Sequence, residues 1–357
     1  MPTILHIIET LGRGGAEVMF VGYINALAGE FENIVVYLKG PSTLAHEIEN
    51  AKVIKCLNSN SNYGVPSACI ALNKIIKAYR VDLIHSHLYW PTIVARGANL
   101  GELPHIFSVH TLMTDDAFVP NRLSKYLEKL SYTPKQKALF VSGAALADYQ
   151  SHINLSGNGS VLYNFVRAEF FSSQAQKVDF NANGLKLVTV GNLRPQKGHM
   201  FLVKCLQNLT DHDISLDIYG EGHQRVELET YIAANKITNV RLMGSHPAPE
   251  SILKNYDAFV LASHYEGFCL AMAEAMAVGL PCIVSGIDVL REVSKHTQLY
   301  FSPGSKEEFT ENLLLLYNKP EVWLTYSESA KRAAACFTIE NHIRQLTEAY
   351  REGLNSK

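Results

Sequence analysis

Short apolar runs alternate with helical patterns along the whole chain, the signature of parallel α/β units. Thr3–Ile8 reads as a first strand, followed by a glycine-rich turn and a helix over Ala16–Leu27. Asn33–Leu38, Val81–His85, Ile106–Val109, Ala138–Val141 and Val161–Tyr163 read as further strands, with a helix over Leu72–Tyr79. The pattern then restarts. Leu185–Val190, Ser215–Tyr219, Val240–Met243, Ala258–Ala262 and Cys282–Ser285 read as strands. Met200–Leu209, Val226–Asn235, Leu270–Ala277, Glu307–Tyr317 and Trp323–Ala335 read as helices. At the end of the chain Ile339, Ile343, Leu346 and Tyr350 fall on one helical face, which needs an apolar surface to lie on.

The expected fold class is therefore α/β, with two facing Rossmann-like sheets and a ligand cleft between them. Residues 1–167 form the first domain, 168–337 the second, and the helix 338–357 is expected to pack back on the first. The seam lies near Phe165–Asp179, a polar stretch weak in structural signal. The 357-residue length suits two domains, each with its own core. Hydrophobic residues at 47% and charged residues at 18% exclude disorder, collagen and coiled coil as the main architecture.

Net charge is −2, so no global basic field points to nucleic acid. Residues 1–167 carry 14 Lys+Arg against 12 Asp+Glu, a balance of +2, and the remainder carries −4. Six scattered cysteines without C-x-x-C argue against a disulfide framework or a zinc ribbon. The first residues read as a buried strand and not as a signal peptide, and no window is long and apolar enough to span a bilayer. The expected setting is the cytoplasm, with a peripheral place at the inner membrane face as an option. Arg122, Lys125, Lys129, Lys135 and Lys137 against Glu128 make a basic stretch that suits either an anionic lipid surface or a solvated helix face.

Ligands of such sheets bind beyond the carboxyl ends of the strands, where the candidate groups fall. Gly12, Gly14 and Gly15 open the first helix, but Glu17 stands where a dinucleotide fingerprint needs its third glycine. Packing and anion or acceptor contact remain open for that turn. His85 and His87 read as ordinary strand-end histidines, because a metal site would lack a third ligand. His110 follows another strand. In the second half Arg194 and Lys197 sit in a turn after a strand, where two cations suit a phosphate-rich ligand, with a solvated basic turn as the competing reading. The segment Glu266–Pro281 is the most specific. Gly267 permits a tight entry, the N–H groups at Phe268, Cys269 and Leu270 suit an anion, and Glu274 lies one helical turn further in. Asp211-His212-Asp213 resembles the D-x-D of metal-dependent transferases but precedes a strand, so it reads as a solvated loop; Cys269 reads as structural.

Gly14-Gly15-Ala16-Glu17, His110, Tyr163-Asn164, Gly191 to Gly198, Tyr219 to Gly222 and the Glu266–Glu274 pair together resemble the GT-B-fold retaining glycosyltransferases of family 4. The resemblance covers nearly the whole chain. It implies that Glu274 binds the donor ribose, and that Glu266 with Gly267 and Phe268 holds the transferred sugar. Cys269 and Leu270 would meet the diphosphate through their N–H groups, Lys197 and Arg194 would neutralise it, and His110 would contact the sugar. Gly14, Gly15, Gly191, Asn192 and Gly244 would line the donor site. One departure is Asn192, where the family usually has arginine; Arg194, two places on, is the candidate substitute. Phe165 also stands where the family commonly has glycine. The implied activity is metal-independent transfer, with no cofactor, from a UDP- or GDP-linked sugar to a glycan or lipid-linked acceptor in bacterial surface polysaccharide assembly. The rival readings are a nucleotide-sugar epimerase, a phosphorylase, and a non-catalytic sugar-nucleotide-binding subunit.

Overall fold

The computed structural model describes residues 1–59, 64–113, 122–155, 157–173, 175, 184–209, 212–246 and 248–355. They divide into two compact units, Met1–Phe165 with Ile339–Lys357, and Val166–Thr338.

The N-terminal unit is built on a seven-stranded sheet. Its strands are β1 (Thr3–Ile8), β2 (Glu32–Tyr37), β3 (Val53–Cys56), β4 (Leu83–His87), β5 (His105–Val109), β6 (Lys137–Phe140) and β7 (Gly159–Val161). Their order is β3-β2-β1-β4-β5-β6-β7, and every pairing is parallel. The order reverses direction between β1 and β4, the point where such sheets place ligands. Parallel strands are covered on both faces, so their sequences run apolar without alternation. All six residues of β1 are buried accordingly, His6 among them. The helix Ile339–Asn355 packs on the helix Gly15–Ala26 and on β4 and β5. Its Tyr350 hydroxyl lies 2.6 Å from Nδ1 of His85.

Several elements are absent from the periodicity reading, among them the helices Gly143–His152, Ala168–Ser172, Pro249–Leu253 and Asp288–Val293. β3 is a four-residue edge strand carrying Lys55, too short to register as a run. The helix Tyr89–Asn99, which contains Pro91 and Gly97, has no counterpart in that reading. Proline is tolerated in a first helical turn, where its missing N–H has no partner to lose. A second strand, β13 (Leu299–Phe301), is also absent from that reading. Strand β4 runs two residues further than the apolar pattern, so His85 and His87 are both inside it.

Glu128 corrects the picture of a basic surface helix. It lies on the helix Arg122–Ser131 but is fully buried, and its two oxygens accept from Arg96 Nη1 and Nη2 at 2.8 and 3.0 Å. Tyr149 donates to the same carboxylate, Gln136 accepts from Arg96 Nε at 3.0 Å, and the guanidinium sits 4.8 Å from the Phe107 ring centroid. Burial works against the Arg96 charge, and the Glu128 carboxylate more than restores it. Removing one partner of a buried pair strands the other charge. Glu128→Ala is therefore expected to destabilise the N-terminal unit by about 3–5 kcal/mol in urea unfolding; a midpoint within error of wild type would contradict that.

The C-terminal unit carries β8 (Leu185–Val190), β9 (Ile214–Tyr219), β10 (Val240–Gly244), β11 (Ala258–Leu261), β12 (Cys282–Ser285) and β13 (Leu299–Phe301). The order is β10-β9-β8-β11-β12-β13, again wholly parallel, with its reversal between β8 and β11. Asp211 and residues 176–179 of the expected seam lie outside the described residues. Among the described residues no helix is long and apolar enough to cross a membrane.

Candidate active site

In the C-terminal unit the loops after β8, β9 and β11 lock together at the reversal point. Gly191 N–H donates to the Tyr219 carbonyl at 2.9 Å, Gly220 N–H to the Gly244 carbonyl at 2.9 Å, and His264 N–H to the Gln196 carbonyl at 2.8 Å. Two glycines make this possible. Gly198 has φ +66°, and a Cβ there would overlap the Ala262 carbonyl; Gly220 has φ +146°, and a Cβ there would overlap the Gly191 carbonyl.

This packing sets Lys197 against Glu266. Lys197 Nζ donates to Glu266 Oε1 at 2.6 Å, and Ser263 Oγ donates to the same oxygen at 2.7 Å. Burial disfavours the ammonium, but the Glu266 charge outweighs it and holds the Lys197 pKa above its ordinary value. Arg194 and Asn192 are exposed in the same turn, and Arg194 lies near enough to oppose the Lys197 charge. His199, next to Gly198, is fully buried with neither ring nitrogen partnered among the described residues, and burial and Lys197 lower its pKa to about 4.

The helix Leu270–Val278 starts from Cys269, whose φ is +68°, and no side chain caps it. Its first backbone bond runs from Ala273 N–H to the Cys269 carbonyl. The N–H groups of the first turn therefore have no helical acceptor, the arrangement that receives anions. The Cys269 thiol is buried, and burial and the Glu266 charge push its pKa up, so it is no thiolate nucleophile. Glu274 is one turn inside. Burial pushes its carboxyl up to about 8, opposed by Arg167 and reinforced by Glu250. Arg167 and Glu250 pair at 2.7 Å; neither stood out in the sequence, because their proximity to Glu274 comes from helix packing. Gly244 ends β10 with φ +73°, beside Glu221.

In the N-terminal unit Gly14 precedes the helix Gly15–Ala26, with open space at Gly15. The Glu17 carboxylate leans back over Gly14 and accepts from Thr10 Oγ1 at 2.9 Å. A carboxylate there suits a hydroxyl better than a phosphate. Beyond β5, His110 Nε2 lies 3.2 Å from Nδ1 of His87. The third histidine thought missing beside His85 and His87 is present: His6, from β1, brings the three rings' nitrogens within 4.8 Å of one another. Every one of those nitrogens already faces a hydrogen-bonding group. His6 meets Asn33 and Tyr23, His85 meets Tyr350 and Ser108, and His87 meets Tyr23 and His110. The rings form a hydrogen-bonded network.

Two wholly parallel, doubly wound sheets, one bearing a buried lysine–carboxylate pair beside an uncapped helix N-terminus, define the GT-B class of glycosyltransferase fold. Residues 13–170 match the model "Glycosyltransferase Family 4" and residues 171–333 match "Glycosyl transferases group 1". The chain belongs to this family of glycosyltransferases and is an enzyme of the glycosyl-transferring class. It is 26% identical over 285 residues to an uncharacterized glycosyltransferase, MJ1178, of Methanocaldococcus jannaschii, covering 78% of this chain and 77% of that one. It is 28% identical over 243 residues to the UDP-Gal:alpha-D-GlcNAc-diphosphoundecaprenol alpha-1,3-galactosyltransferase of Escherichia coli, covering 61% of each. The crystal structure of Anabaena Alr3699/HepE with UDP and glucose superposes with a TM-score of 0.83 at 16% identity, covering 99% of this chain and 100% of that one, a likeness of fold.

Proposed function

We propose that the enzyme transfers a sugar, with retention of anomeric configuration and without a metal, from a UDP- or GDP-linked donor to a hydroxyl of a glycan or lipid-linked acceptor in surface polysaccharide assembly. The Lys197–Glu266 pair beside the uncapped helix start, with Glu274 one turn inside, carries this reading. The Escherichia coli relative's lipid-linked acceptor and the Anabaena structure's UDP and glucose support it.

The chemistry follows from charge. As the bond from the anomeric carbon to the diphosphate breaks, negative charge grows on the leaving oxygen. Lys197 and the helix N-terminus are fixed groups for that charge, and Arg194 can reinforce them. The acceptor oxygen bonds to the same face of the anomeric carbon, and its proton passes to the departing phosphate oxygen. Glu266 would hold the sugar hydroxyls, His110 would meet the sugar, and Glu274 would take the ribose hydroxyls.

Calorimetric titration with UDP, GDP and phosphate tests the donor class. UDP or GDP should bind, and phosphate alone should not; the reverse would favour a phosphorylase. Glu274 supplies a pH signature. Its carboxyl is mostly protonated at pH 7, and the charged form that accepts two hydroxyls fills as pH rises through about 8. Nucleotide affinity should rise over that interval, and Glu274→Gln should weaken binding and flatten the profile. Donor turnover with an acceptor pool separates an enzyme from a binding subunit.

An anionic membrane surface is the proposed partner of residues 122–137. Tyr126 and Leu130, one helical turn apart, are 58% and 63% exposed, and Lys129 and Lys135 are exposed beside them. With Glu128 buried, its charge is already spent on Arg96, while Lys137 pairs with Glu352. Apolar tips flanked by cations suit the lipid interface. Sedimentation with anionic vesicles, weakened by salt, is the expected result; no sedimentation removes this partner.

A further inference from the structure

Beneath His110 lies a line of buried polar groups that the transfer reading does not use. Asn33 Oδ1 is 3.0 Å from His6 Nε2, His6 Nδ1 is 3.4 Å from the Tyr23 hydroxyl, and that hydroxyl is 2.6 Å from His87 Nε2. His87 Nδ1 is 3.2 Å from His110 Nε2, and His110 Nδ1 is buried with no partner among the described residues. We infer that this chain runs in one direction, from Asn33 to His110, and that it leaves His110 Nδ1 as an unprotonated hydrogen-bond acceptor.

The direction follows from counting protons. Burial lowers the pKa of His6 to about 3 and of His110 to about 4, and holds that of His87 well below its usual value. Each ring is therefore neutral near pH 7, with one N–H donor and one bare nitrogen. Asn33 Nδ2 donates to the Asn50 carbonyl at 3.2 Å, which turns Oδ1 toward His6. An oxygen there requires the proton on His6 Nε2, so His6 Nδ1 is bare and must accept. Among the described residues the only donor beside it is the Tyr23 hydroxyl. With that single proton aimed at His6, the phenol oxygen accepts from His87 Nε2–H across the 2.6 Å contact. His87 Nδ1 is then bare and accepts from His110 Nε2–H, which leaves His110 Nδ1 bare. If Tyr23 instead donates to His87, the phenol and His6 face each other with lone pairs and one buried hydrogen bond is lost. Buried acceptors without donors are costly, so the first direction is the stable one.

His6, Tyr23 and His87 are positioning residues acting through His110. His110 borders a void of about 20 Å³ lined also by His87, Asn164 and His342, room for one water. An acceptor at that point receives a hydrogen bond from a hydroxyl and cannot give one. The consequence for a sugar hydroxyl rests on the proposed transferase reading; the direction of the chain does not.

Long-range ¹H–¹⁵N correlation on the full chain labelled with ¹⁵N-histidine tests it without any ligand, His110 being assigned by the signal lost in His110→Gln. The wild type should show His110 Nδ1 in the unprotonated range and the proton on Nε2. His6→Leu removes the acceptor of the Tyr23 proton, so Tyr23 should turn to His87, the chain should reverse, and His110 Nδ1 should become protonated. Tyr23→Phe cuts the chain and should leave His110 a mixture of both tautomers. A wild-type proton on Nδ1, or a His110 signal unmoved in whichever variants fold, overturns the inference. Absence of nucleotide-sugar turnover would leave these shifts untouched, so the two readings fail separately.

Discussion

The N-terminal unit is expected to unfold as pH is lowered from 6.5 toward 4, while the C-terminal unit stays folded. His6 and His105 are lowered to about 3, His110 and His342 to about 4, and His85 and His87 well below the ordinary value, in each case chiefly by burial. All six belong to this unit. A histidine whose folded pKa is depressed adds stability that is complete above about pH 6.5, the unfolded value, and is lost as pH falls toward the folded value. Each can remove up to about 1.4 kcal/mol per pH unit, because the unfolded chain takes up a proton that the folded one refuses. Six together could exhaust a typical 5–15 kcal/mol within about one to two units. In the C-terminal unit the carboxyls of Asp257 and Glu274 are raised to about 6 and about 8, which adds stability as pH falls, against His199 lowered to about 4. Trp90 reports on the first unit and Trp323 on the second, so fluorescence of Trp90→Phe and Trp323→Phe variants separates the two transitions. Coincident transitions, or a folded Trp90 environment at pH 4, would contradict the expectation.

Lys197→Ala should lower turnover about 10²- to 10³-fold, the usual cost of removing one group aimed at developing charge. The effect should fall on kcat more than on donor KM, because the charge on the leaving oxygen is greatest in the transition state. Lys197 suits that role because it is held cationic and hydrogen-bonded to Glu266 before any ligand arrives. The fold should survive at reduced stability, since Glu266 loses its buried partner but keeps its bond from Ser263, and the close backbone approaches at Gly198 and Gly220 do not involve the lysine side chain. A cooperative thermal transition, lowered by the stranded Glu266 charge, together with lost turnover, is the required combination. Unchanged turnover would remove Lys197 from the proposed chemistry.

Strand position and sheet count were largely legible because buried parallel strands leave continuous apolar runs, as in Thr3–Ile8 and Cys282–Ser285. The helix Tyr89–Asn99 was hidden by Pro91 and Gly97, residues whose helix-breaking tendency is local and is overridden by packing. Gly97 in fact lets Cys69 approach, since a Cβ there would meet Cys69 Sγ. Side-chain partners were the least legible. The burial of Glu128 against Arg96 spans 32 residues, and the gathering of His6 with His85 and His87 depends on β1 pairing with β4. Periodicity carries no signal for such separations. Glu266 and Lys197 could be named from their positions after strands, but not that they would touch each other.

The helix Ile339–Asn355 belongs to the same unit as the first 165 residues. During synthesis, then, the opening sheet emerges from the ribosome long before the helix that finishes it. Until Tyr350 arrives, His85 Nδ1 has no phenol to meet and the apolar side of β4 and β5 under that helix stays open. The later-encoded unit, Val166–Thr338, can close upon itself first. The N-terminal unit therefore cannot be completed before residues 339–355 are made, unlike nascent domains that mature from the amino end.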